Sequence, residues 1–398
     1  KTCSTTYCHG SAQPSPPWGG TTNCGSCHAA NNTLPGKHAL HYGSSNTALN
    51  FGASSSPSGT TYGFSCGVCH PNNAHATGPV STVQTANVVF DATIAGGGVY
   101  TAAAVSAGVD ASGYNWTMGT CGNMYCHSAG TTSTSPFAAP NTVPTWTTGV
   151  LTCADCHGNS VSSPRLLTSG AHSAHLNDAA KNKIGQNFMC HECHVATAST
   201  TSDWLLANNG AVNHVNKFVN IKFDNASINK DTDNGVGPSY EGVSTTATSS
   251  GAQVTAGGVG NNQCSNVYCH SLGNLSGTNP ATNTVITVGV YSFRTPTWSA
   301  GTGLACDACH GGGVGSGIAY PIYASGGSGT ENSHVAHVAT NGYTCNLCHV
   351  TTTVSTTITA ATMTIVPGGT HLNRVEDVAF ATYFSRTGSY NGGTKTCS

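Results

Sequence analysis

The chain has 398 residues, of which only 7% are charged, and its formal net charge is −2. Lysine and arginine form no clusters, which argues against nucleic-acid binding because phosphate recognition needs a concentrated basic surface. Leu, Ile, Val and Phe together make up about 16% of the residues, too little apolar surface for an ordinary core in a chain of this size.

The sequence argues against a transmembrane segment. No apolar stretch approaches the 18 or so residues of a membrane span, and no signal peptide begins at Lys1. We therefore expect a mature chain or a fragment without a transmembrane segment.

Small polar tracts such as 52–63 and 244–262 are typical of loops and linkers. We therefore expect little regular helix.

The same elements recur three times along the chain. From the N-terminus they are CSTTYCH (3–9), PPW (16–18), CGSCH (24–28), HALH (38–41), CGVCH (66–70) and His75. They recur as CGNMYCH (121–127), PTW (144–146), CADCH (153–157), HSAH (172–175), CHECH (190–194) and His214. The third set is CSNVYCH (264–270), PTW (296–298), CDACH (306–310), HVAH (334–337), CNLCH (345–349) and His371. We predict three tandem repeats, residues 1–120, 121–263 and 264–396, with residues 397–398 starting a further unit.

Eighteen of the 19 cysteines form pairs at two spacings. Six pairs are C-x-x-C: Cys24/Cys27, Cys66/Cys69, Cys153/Cys156, Cys190/Cys193, Cys306/Cys309 and Cys345/Cys348. Three are C-x4-C: Cys3/Cys8, Cys121/Cys126 and Cys264/Cys269. A histidine follows the second cysteine of every pair: His9, His28, His70, His127, His157, His194, His270, His310 and His349.

Three interpretations of these pairs compete. Structural zinc wants four ligands from two matching pairs and does not require a histidine directly after the second cysteine. Disulfides would suit a secreted chain with little core, but they leave the histidine without a role. Covalent haem c uses all three residues, because two thiols attach the porphyrin and the adjacent imidazole reaches the iron. The pattern favours haem c, with iron bound at each motif.

Nine haems would give one haem per 44 residues or so, and ordering that much backbone costs on the order of 40–90 kcal/mol. We therefore expect the haems to form the core and the apoprotein to be disordered. The predicted fold is an irregular, coil-dominated multihaem cytochrome c with short helices at the haem motifs and three tandem three-haem units. A few short β-ribbons are expected at 87–105, 219–224 and 375–384.

Ten histidines remain outside the motifs, and nine of them fall three to a repeat. We predict that these nine are the distal ligands of the nine irons: His38, His41, His75, His172, His175, His214, His334, His337 and His371. Each H-x-x-H pair also suits zinc or an exposed helical turn, but its position between two haem motifs favours axial ligation of two neighbouring haems. His75 lies closer to its motif than His214 or His371 and is the least regular member. The tenth, His191, has no counterpart in the other repeats and is interpreted as a surface residue, with ligation of a haem outside the chain as the alternative.

The order C-x4-C-H, PTW, C-x-x-C-H, H-x-x-H, C-x-x-C-H and HVN (214–216) resembles the CxxxxCH/CxxCH multihaem c-type cytochromes of metal-reducing bacteria. The resemblance covers essentially the whole chain. It implies export, haem attachment outside the cytoplasm, low-potential bis-histidine haems, and electron transfer at or beyond the outer membrane.

The expected function is an electron conduit, in which electrons pass between neighbouring haems, rather than an enzyme. Expected partners are further copies or tandem units of the chain itself, other cytochromes, or an extracellular metal acceptor. A periplasmic carrier or redox store is the alternative; a reductase would need one open iron. Nine haems would bring 18 propionates against 12 Lys plus Arg, so propionates must face water, form hydrogen bonds or bind a cation such as calcium.

The two ends of the chain share the letters KTCS, at 1–4 and 395–398. Cys397 falls where the first cysteine of a fourth repeat is due after Cys3, Cys121 and Cys264. Our hypothesis is that the chain is one period of a tandem giant or of a head-to-tail filament. The alternative is coincidence, with Cys397 a free or disulfide-bonded thiol.

Overall fold

The computed structural model describes these parts of the chain: residues 36–42, 55–58, 60–70, 88–109, 115–130, 134–140, 142–146, 151, 153–157, 170–175, 188–208, 210–224, 238–241, 245–248, 251–255, 262–270, 277–278, 285–286, 296–298, 334–356, 365–366, 371, 377–382, 388–391 and 396–398. Ten predicted site residues lie outside them: Cys3, Cys8, His9, Cys24, Cys27, His28, His75, Cys306, Cys309 and His310.

The described helices are all short, and most coincide with the sequence motifs. The α-helices are α1 (His38–Tyr42), α2 (Cys153–Cys156), α3 (His172–His175), α4 (Cys190–His194) and α5 (Gly210–Asn213). Single 3-10 turns span Cys66–Val68, Tyr125–His127, Tyr268–His270 and Cys345–Leu347, and a π-helix spans Val335–Thr340. One helical turn places the two cysteines of a C-x-x-C pair on the same side, with the histidine directly after them.

The described strands form small sheets of two or three strands. They are β1 (Val99–Val109), β2 (Asn115–Gly122), β3 (Ala198–Ser199), β4 (Ser202–Leu206), β5 (Phe218–Ile221), β6 (Ser239–Glu241), β7 (Thr245–Thr248), β8 (Gly251–Thr255), β9 (Gln263–Ser265), β10 (Gly277–Thr278), β11 (Val285–Ile286), β12 (Tyr390–Asn391) and β13 (Thr396–Cys397). Strand pairs β1–β2, β3–β4, β6–β9, β7–β8, β10–β11 and β12–β13 are all antiparallel.

Three of these ribbons share one register. Tyr100 of β1 lies opposite Cys121 of β2, and Tyr240 of β6 lies opposite Cys264 of β9. In the ribbon of β12 and β13, Tyr390 lies opposite Cys397. Cys121 and Cys264 each begin a C-x4-C-H motif, so Cys397 occupies the strand position of a motif cysteine.

An extended segment is hydrogen-bonded to each of three C-x-x-C-H motifs. The N–H groups of Val89, Lys222 and Ala379 donate to the carbonyls of Cys69, Cys193 and Cys348 at 3.0, 2.9 and 3.0 Å. The donors lie just before Phe90, Phe223 and Phe380, within or beside the predicted ribbons. These bonds fix the second cysteine of each motif next to a phenylalanine.

The chain divides into two compact units. The first consists of Lys1–Gly158, Ala196–Asn220 and Thr255–Gly257, and its buried cluster contains Val68, Phe90, Ala95, Cys121 and Met124. The second consists of Asn159–Val195, Ile221–Val254 and Gly258–Ser398, and its buried cluster contains Phe223, Tyr240, Val254, Cys264 and Val267. Each cluster therefore includes the first cysteine of a C-x4-C-H motif.

The predicted coil-dominated fold with short helices and small β-ribbons is confirmed in the described parts of the chain. The haem core and the three-haem units remain predictions. None of the described helices has the length and apolar character that a bilayer span requires.

Candidate haem centres

The backbone holds each H-x-x-H pair next to the C-x-x-C-H motif that follows it. The N–H of Phe64, two residues before Cys66, donates to the His41 carbonyl at 2.9 Å. The equivalent bonds run from Phe188 to His175 at 3.4 Å and from Tyr343 to His337 at 2.9 Å. All three donors are aromatic residues at the same distance from the motif.

The first histidine of each pair faces the histidine of that following motif. The ring centres of His38 and His70 are 6.3 Å apart, with 22° between the ring planes. His172 and His194 are 6.4 Å apart at 21°, and His334 and His349 are 6.2 Å apart at 13°. The three pairs have nearly the same geometry.

The second histidine of the pair faces a C-x4-C-H motif from the next sequence repeat. His41 lies 5.8 Å from His127, with 43° between the ring planes, and His175 lies 5.9 Å from His270 at 27°. The predicted repeats meet between residues 120 and 121 and between residues 263 and 264. Each of these two contacts therefore joins residues of two different repeats.

A sixth pair joins an isolated histidine to a C-x-x-C-H motif. His214, directly after α5, lies 6.1 Å from His157, with 71° between the planes. The Tyr62 hydroxyl lies 2.6 Å from His214 Nδ1.

Hydrogen bonds leave Nε2 of several imidazoles available for a metal. His41 Nδ1 is 2.9 Å from the Lys37 carbonyl, and His175 Nδ1 is 2.8 Å from the Ala171 carbonyl. A carbonyl oxygen only accepts, so in each case Nδ1 carries the proton and Nε2 carries the lone pair. On the motif side, His349 Nδ1 donates to the Asp377 carbonyl at 2.6 Å. Metal-bound histidines are held in this way by a partner on the other nitrogen.

The buried imidazoles are neutral, which is the form that binds a metal. Burial, and after it the facing histidine of each pair, lowers the pKa of His127, His214 and His270 to about 4. Burial also lowers the pKa of His41 and His175. The Nδ1 atoms of His127 and His270 are buried without a hydrogen-bond partner.

A tryptophan of the PTW sequence covers each of two H-x-x-H helices, α1 and α3. Trp146 lies 5.0 Å from His38 at 86° and 5.4 Å from His41 at 24°. Trp298 lies 5.0 Å from His172 at 89° and 5.3 Å from His175 at 24°. The indole therefore lies beside both imidazoles of a pair and limits the access of water to them.

Glycine is required beneath each of these indoles. Gly36 and Gly170 have φ angles of +71° and +56°, and a Cβ at either position would collide with the indole nitrogen of Trp146 or Trp298. A left-handed backbone and this close approach both favour glycine.

The described motif cysteines are buried or half-buried, and several of them lie close together. Burial, and after it the nearby thiols of Cys121 and Cys126, raises the pKa of Cys69 to about 12. Burial likewise raises the pKa of Cys264 to about 12, and that of Cys193 lies well above its ordinary value. A thioether sulfur carries no charge, so it suits these sites without a compensating cation.

Cys269, predicted to attach the haem of the third C-x4-C-H motif, is half-buried and packs against the cluster of Phe223 and Tyr240. Cys269 and Cys264 both lie close enough to Cys193 to raise its pKa. Half-buried positions are shared by Cys66, Cys69, Cys126, Cys156, Cys190, Cys193, Cys345 and Cys348, whereas Cys121 and Cys264 are buried and Cys397 is exposed.

The described donors fit haem better than zinc. Two imidazoles that ligate one metal from opposite sides, with N–metal bonds of about 2 Å, have ring centres roughly 6 Å apart. The six pairs span 5.8 to 6.4 Å. Zinc needs four protein ligands, and no group of three or more His, Cys, Asp or Glu in the described ranges could hold a metal ion. Haem supplies four nitrogens itself and needs only two axial ligands.

Three further predicted residues have described positions outside the six pairs. His371 is half-buried. It is the counterpart of His214, and the counterpart of His157 in the third repeat, His310, lies outside the described residues. His337 is exposed, with its ring centre 6.2 Å from that of Tyr343. In α2, Cys156 is a half-buried thiol, and the side chain of Cys153 is not described.

The interpretation of His191 as a surface residue is wrong. Its side chain is buried, with Nε2 3.6 Å from Asp224 Oδ2 and 3.9 Å from Glu192 Oε1. The reason is the extended segment at Lys222–Asp224, which hydrogen-bonds to the backbone of α4 and covers His191. The sequence held no signal for this contact, nor for Tyr62 beside His214.

Comparison with known families supports the same chemistry. A family model described as the Geobacter CxxxxCH...CXXCH motif matches residues 120–157 and 263–310. Both matches start just before a C-x4-C-H motif and end at the histidine of the next C-x-x-C-H motif. The resemblance noted in the sequence is thereby confirmed for these segments, and it is consistent with a multihaem c-type cytochrome. No curated protein and no solved structure matches the chain.

Proposed function

We propose that this chain is a nonahaem c-type cytochrome that conducts electrons from haem to haem. Each of the nine cysteine pairs attaches one haem, and the histidine directly after it binds the iron. The nine distal histidines named above provide the opposite ligands. When bound, haem c supplies reversible one-electron chemistry at its iron.

The observation that carries this proposal is the set of six facing imidazole pairs. In each pair, one histidine follows a cysteine pair and the other comes from a different part of the chain. Because both axial positions are taken at such a site, the iron has no place for a substrate. This arrangement favours electron transfer over reduction of a small molecule.

The chain's own residues hold neighbouring haem sites close together. His38 and His41 lie on one turn of α1 and face two different motifs, those of His70 and His127. Trp146 closes one side of both sites. Close spacing and restricted water access both favour transfer between adjacent centres.

The test is a haem count and spin-state measurement on protein matured in an export host. We expect nine haems per chain by pyridine haemochrome assay and intact mass, with only low-spin signals in the oxidised EPR spectrum of the assembled protein. A high-spin signal that disappears on adding nitrite or hydroxylamine would favour a reductase. A chain purified without haem would contradict the proposal and favour zinc or disulfides at the cysteine pairs.

We further propose that the protein is exported and works at the outer cell surface, within a filament or a giant tandem cytochrome. The support is Cys397, which has the strand position of Cys121 and Cys264. It also lies close enough to Cys348 to raise the pKa of that thiol, after burial, as Cys121 does for Cys69. The next haem motif would then belong to the same polypeptide or to a neighbouring copy, and other cytochromes or an extracellular metal would be the electron acceptors.

Two measurements distinguish these forms. The intact mass of the native polypeptide under denaturing, reducing conditions separates a 40.2 kDa chain plus haem from a tandem giant. Electron microscopy of cell-surface material then shows whether chains of the smaller size form filaments. A monodisperse periplasmic monomer would contradict the conduit and favour a carrier.

A further inference from the structure

We infer that each H-x-x-H pair ligates two haems belonging to different sequence repeats. The first histidine serves the C-x-x-C-H haem of its own repeat, and the second serves the C-x4-C-H haem of the following repeat. This inference rests on the proposed function and specifies its ligand connections. The axial pairs are His38 with His70, His41 with His127, His172 with His194, His175 with His270, His334 with His349, and, outside the H-x-x-H helices, His214 with His157.

The spacing along the chain does not select this assignment. His41 is nearer in sequence to His28 and His70 than to His127, and a pair within one repeat would be the simpler expectation. The structure nevertheless places His41 against His127 and His175 against His270, with ring centres 5.8 and 5.9 Å apart. The two contacts involve different residues and therefore support each other.

The hydrogen bonds of the second histidine favour the same conclusion. The carbonyls of Lys37 and Ala171, at the start of each helical turn, fix the proton of His41 and His175 on Nδ1. Nε2 is then the metal-binding nitrogen of both. The first histidine of each pair lies three residues earlier and faces another motif, so the two imidazoles are directed to separate irons.

The following repeat also supplies the cover for the shared helix. The backbone N–H groups of Trp146 and Trp298 donate to the carbonyls of Gly119 and Asn262, at 2.9 and 2.6 Å. Both acceptors lie within or beside the strands that carry the first cysteine of a C-x4-C-H motif. The segment that brings this motif to the helix thus also brings the indole that packs on it. Each of these H-x-x-H helices therefore packs against residues of the following repeat. A single repeat would lack part of the side chains that surround its own haem ligands.

The experiment combines loss of a ligand with loss of a haem. His41→Ala should convert one haem equivalent per chain from low-spin to high-spin, measured by EPR and near-infrared magnetic circular dichroism. Cys121→Ser with Cys126→Ser removes the haem to which we assign His41, and intact mass confirms the loss. In that background, His41→Ala should add no high-spin signal.

The matched control is His38→Ala in the same background, which should still produce one high-spin haem because its partner motif, Cys66/Cys69, is intact. A high-spin signal from His41→Ala in the absence of the Cys121/Cys126 haem would overturn the assignment. A wild-type chain without haem would instead refute the proposed function.

A second set of variants tests the assignment again if the first background fails to fold. Here His175→Ala takes the place of His41→Ala, and the haem is removed by replacing both Cys264 and Cys269 with serine. His175→Ala should add no high-spin signal once that haem is absent. A persistent high-spin haem would show that His175 ligates a different iron and would overturn the assignment.

Discussion

At the scale of single residues, the atoms around each imidazole determine how it can act. Sequence spacing singled out the histidines as a set, because nine motif histidines and nine others are easily counted. It did not identify Tyr62 or the carbonyls of Lys37 and Ala171, since those partners depend on how the backbone turns. His191 illustrates the same limit: its burial results from a segment about thirty residues further along, at Asp224.

We predict that Tyr62→Phe raises the reduction potential of one haem without changing its low-spin state. The Tyr62 oxygen lies 2.6 Å from His214 Nδ1, and an acceptor at this position makes the ligand more basic and favours ferric iron. Loss of a hydrogen bond of about 1 kcal/mol corresponds to up to about 40 mV for a one-electron couple. A spectroelectrochemical titration measures the shift.

Thr61→Val is the control for this variant, since it removes the neighbouring hydroxyl, which donates to the Ser58 carbonyl at 2.9 Å and not to a histidine. It should leave the titration unchanged. Identical curves for Tyr62→Phe and wild type would mean that the hydroxyl has no influence on a ligand.

At the scale of elements, the structure follows the sequence closely inside each motif and less closely between motifs. The C-x-x-C-H spacing correctly predicts short helical turns in the described motifs, and two of the three predicted ribbons contain strands, Val99–Val109 and Phe218–Ile221. The third, at 375–384, has only an isolated bridge at Ala379 in its described part. What the sequence could not predict is that α1 packs against Trp146 and His127. Such contacts arise from tertiary packing, which local propensity does not encode.

We predict that Gly36→Ala destabilises the protein more than Gly97→Ala. Both glycines have left-handed backbones, with φ angles of +71° and +72°, so both substitutions carry a cost of roughly 1–2 kcal/mol. Only at Gly36 does the new Cβ meet the Trp146 indole, whereas Gly97 has open space around it. The clash with Trp146 should lower the free energy of unfolding of Gly36→Ala by about 1–3 kcal/mol more than that of Gly97→Ala.

Denaturant unfolding, followed by tryptophan fluorescence and haem absorbance, measures this difference. Gly36→Ala should also produce some high-spin haem, because displacement of Trp146 disturbs His38 and His41. Equal unfolding midpoints for the two variants would contradict the proposed role of the indole.

At the scale of the whole molecule, the apolar clusters in the described parts of the chain are small. Each compact unit has a described cluster of five buried residues. A buried large side chain contributes about 1.5–3 kcal/mol, while each ordered residue costs roughly 1–2 kcal/mol of backbone entropy. In the proposed cytochrome, covalently bound haem supplies much of the remaining buried surface.

We predict that the chain produced without haem attachment has no cooperative unfolding transition. Its far-ultraviolet circular dichroism should be that of a largely disordered chain, whereas the holoprotein should melt cooperatively. Cytoplasmic expression, where cytochrome c maturation does not occur, provides the apoprotein. A cooperative apoprotein melt would contradict a haem-filled core and favour a polypeptide that folds independently.

The last prediction concerns His337 and the junction after Cys397. His337 has the same backbone bond as His41 and His175, here from the Tyr343 N–H at 2.9 Å, so it occupies the position of a second H-x-x-H histidine. Under the inferred assignment its partner is the histidine of a C-x4-C-H motif that follows Cys397. In a head-to-tail filament that histidine is His9 of the next copy. We therefore predict that dissociating the filament exposes one high-spin haem per chain, and that reassembly removes it.

In His337→Ala, one high-spin haem per chain should persist in the assembled state. The haem of the next C-x4-C-H motif, here called the junction haem, has then lost its second imidazole, whether that motif is on the same polypeptide or on another copy. His41→Ala is the matched control: it creates a separate high-spin haem within the chain, so it should show two high-spin haems per chain when dissociated and one when assembled, whereas His337→Ala should show one in both states. EPR spectra at matched haem concentration, before and after dissociation, distinguish the two variants. An assembled His337→Ala protein with only low-spin haems would show that a different residue ligates the junction haem.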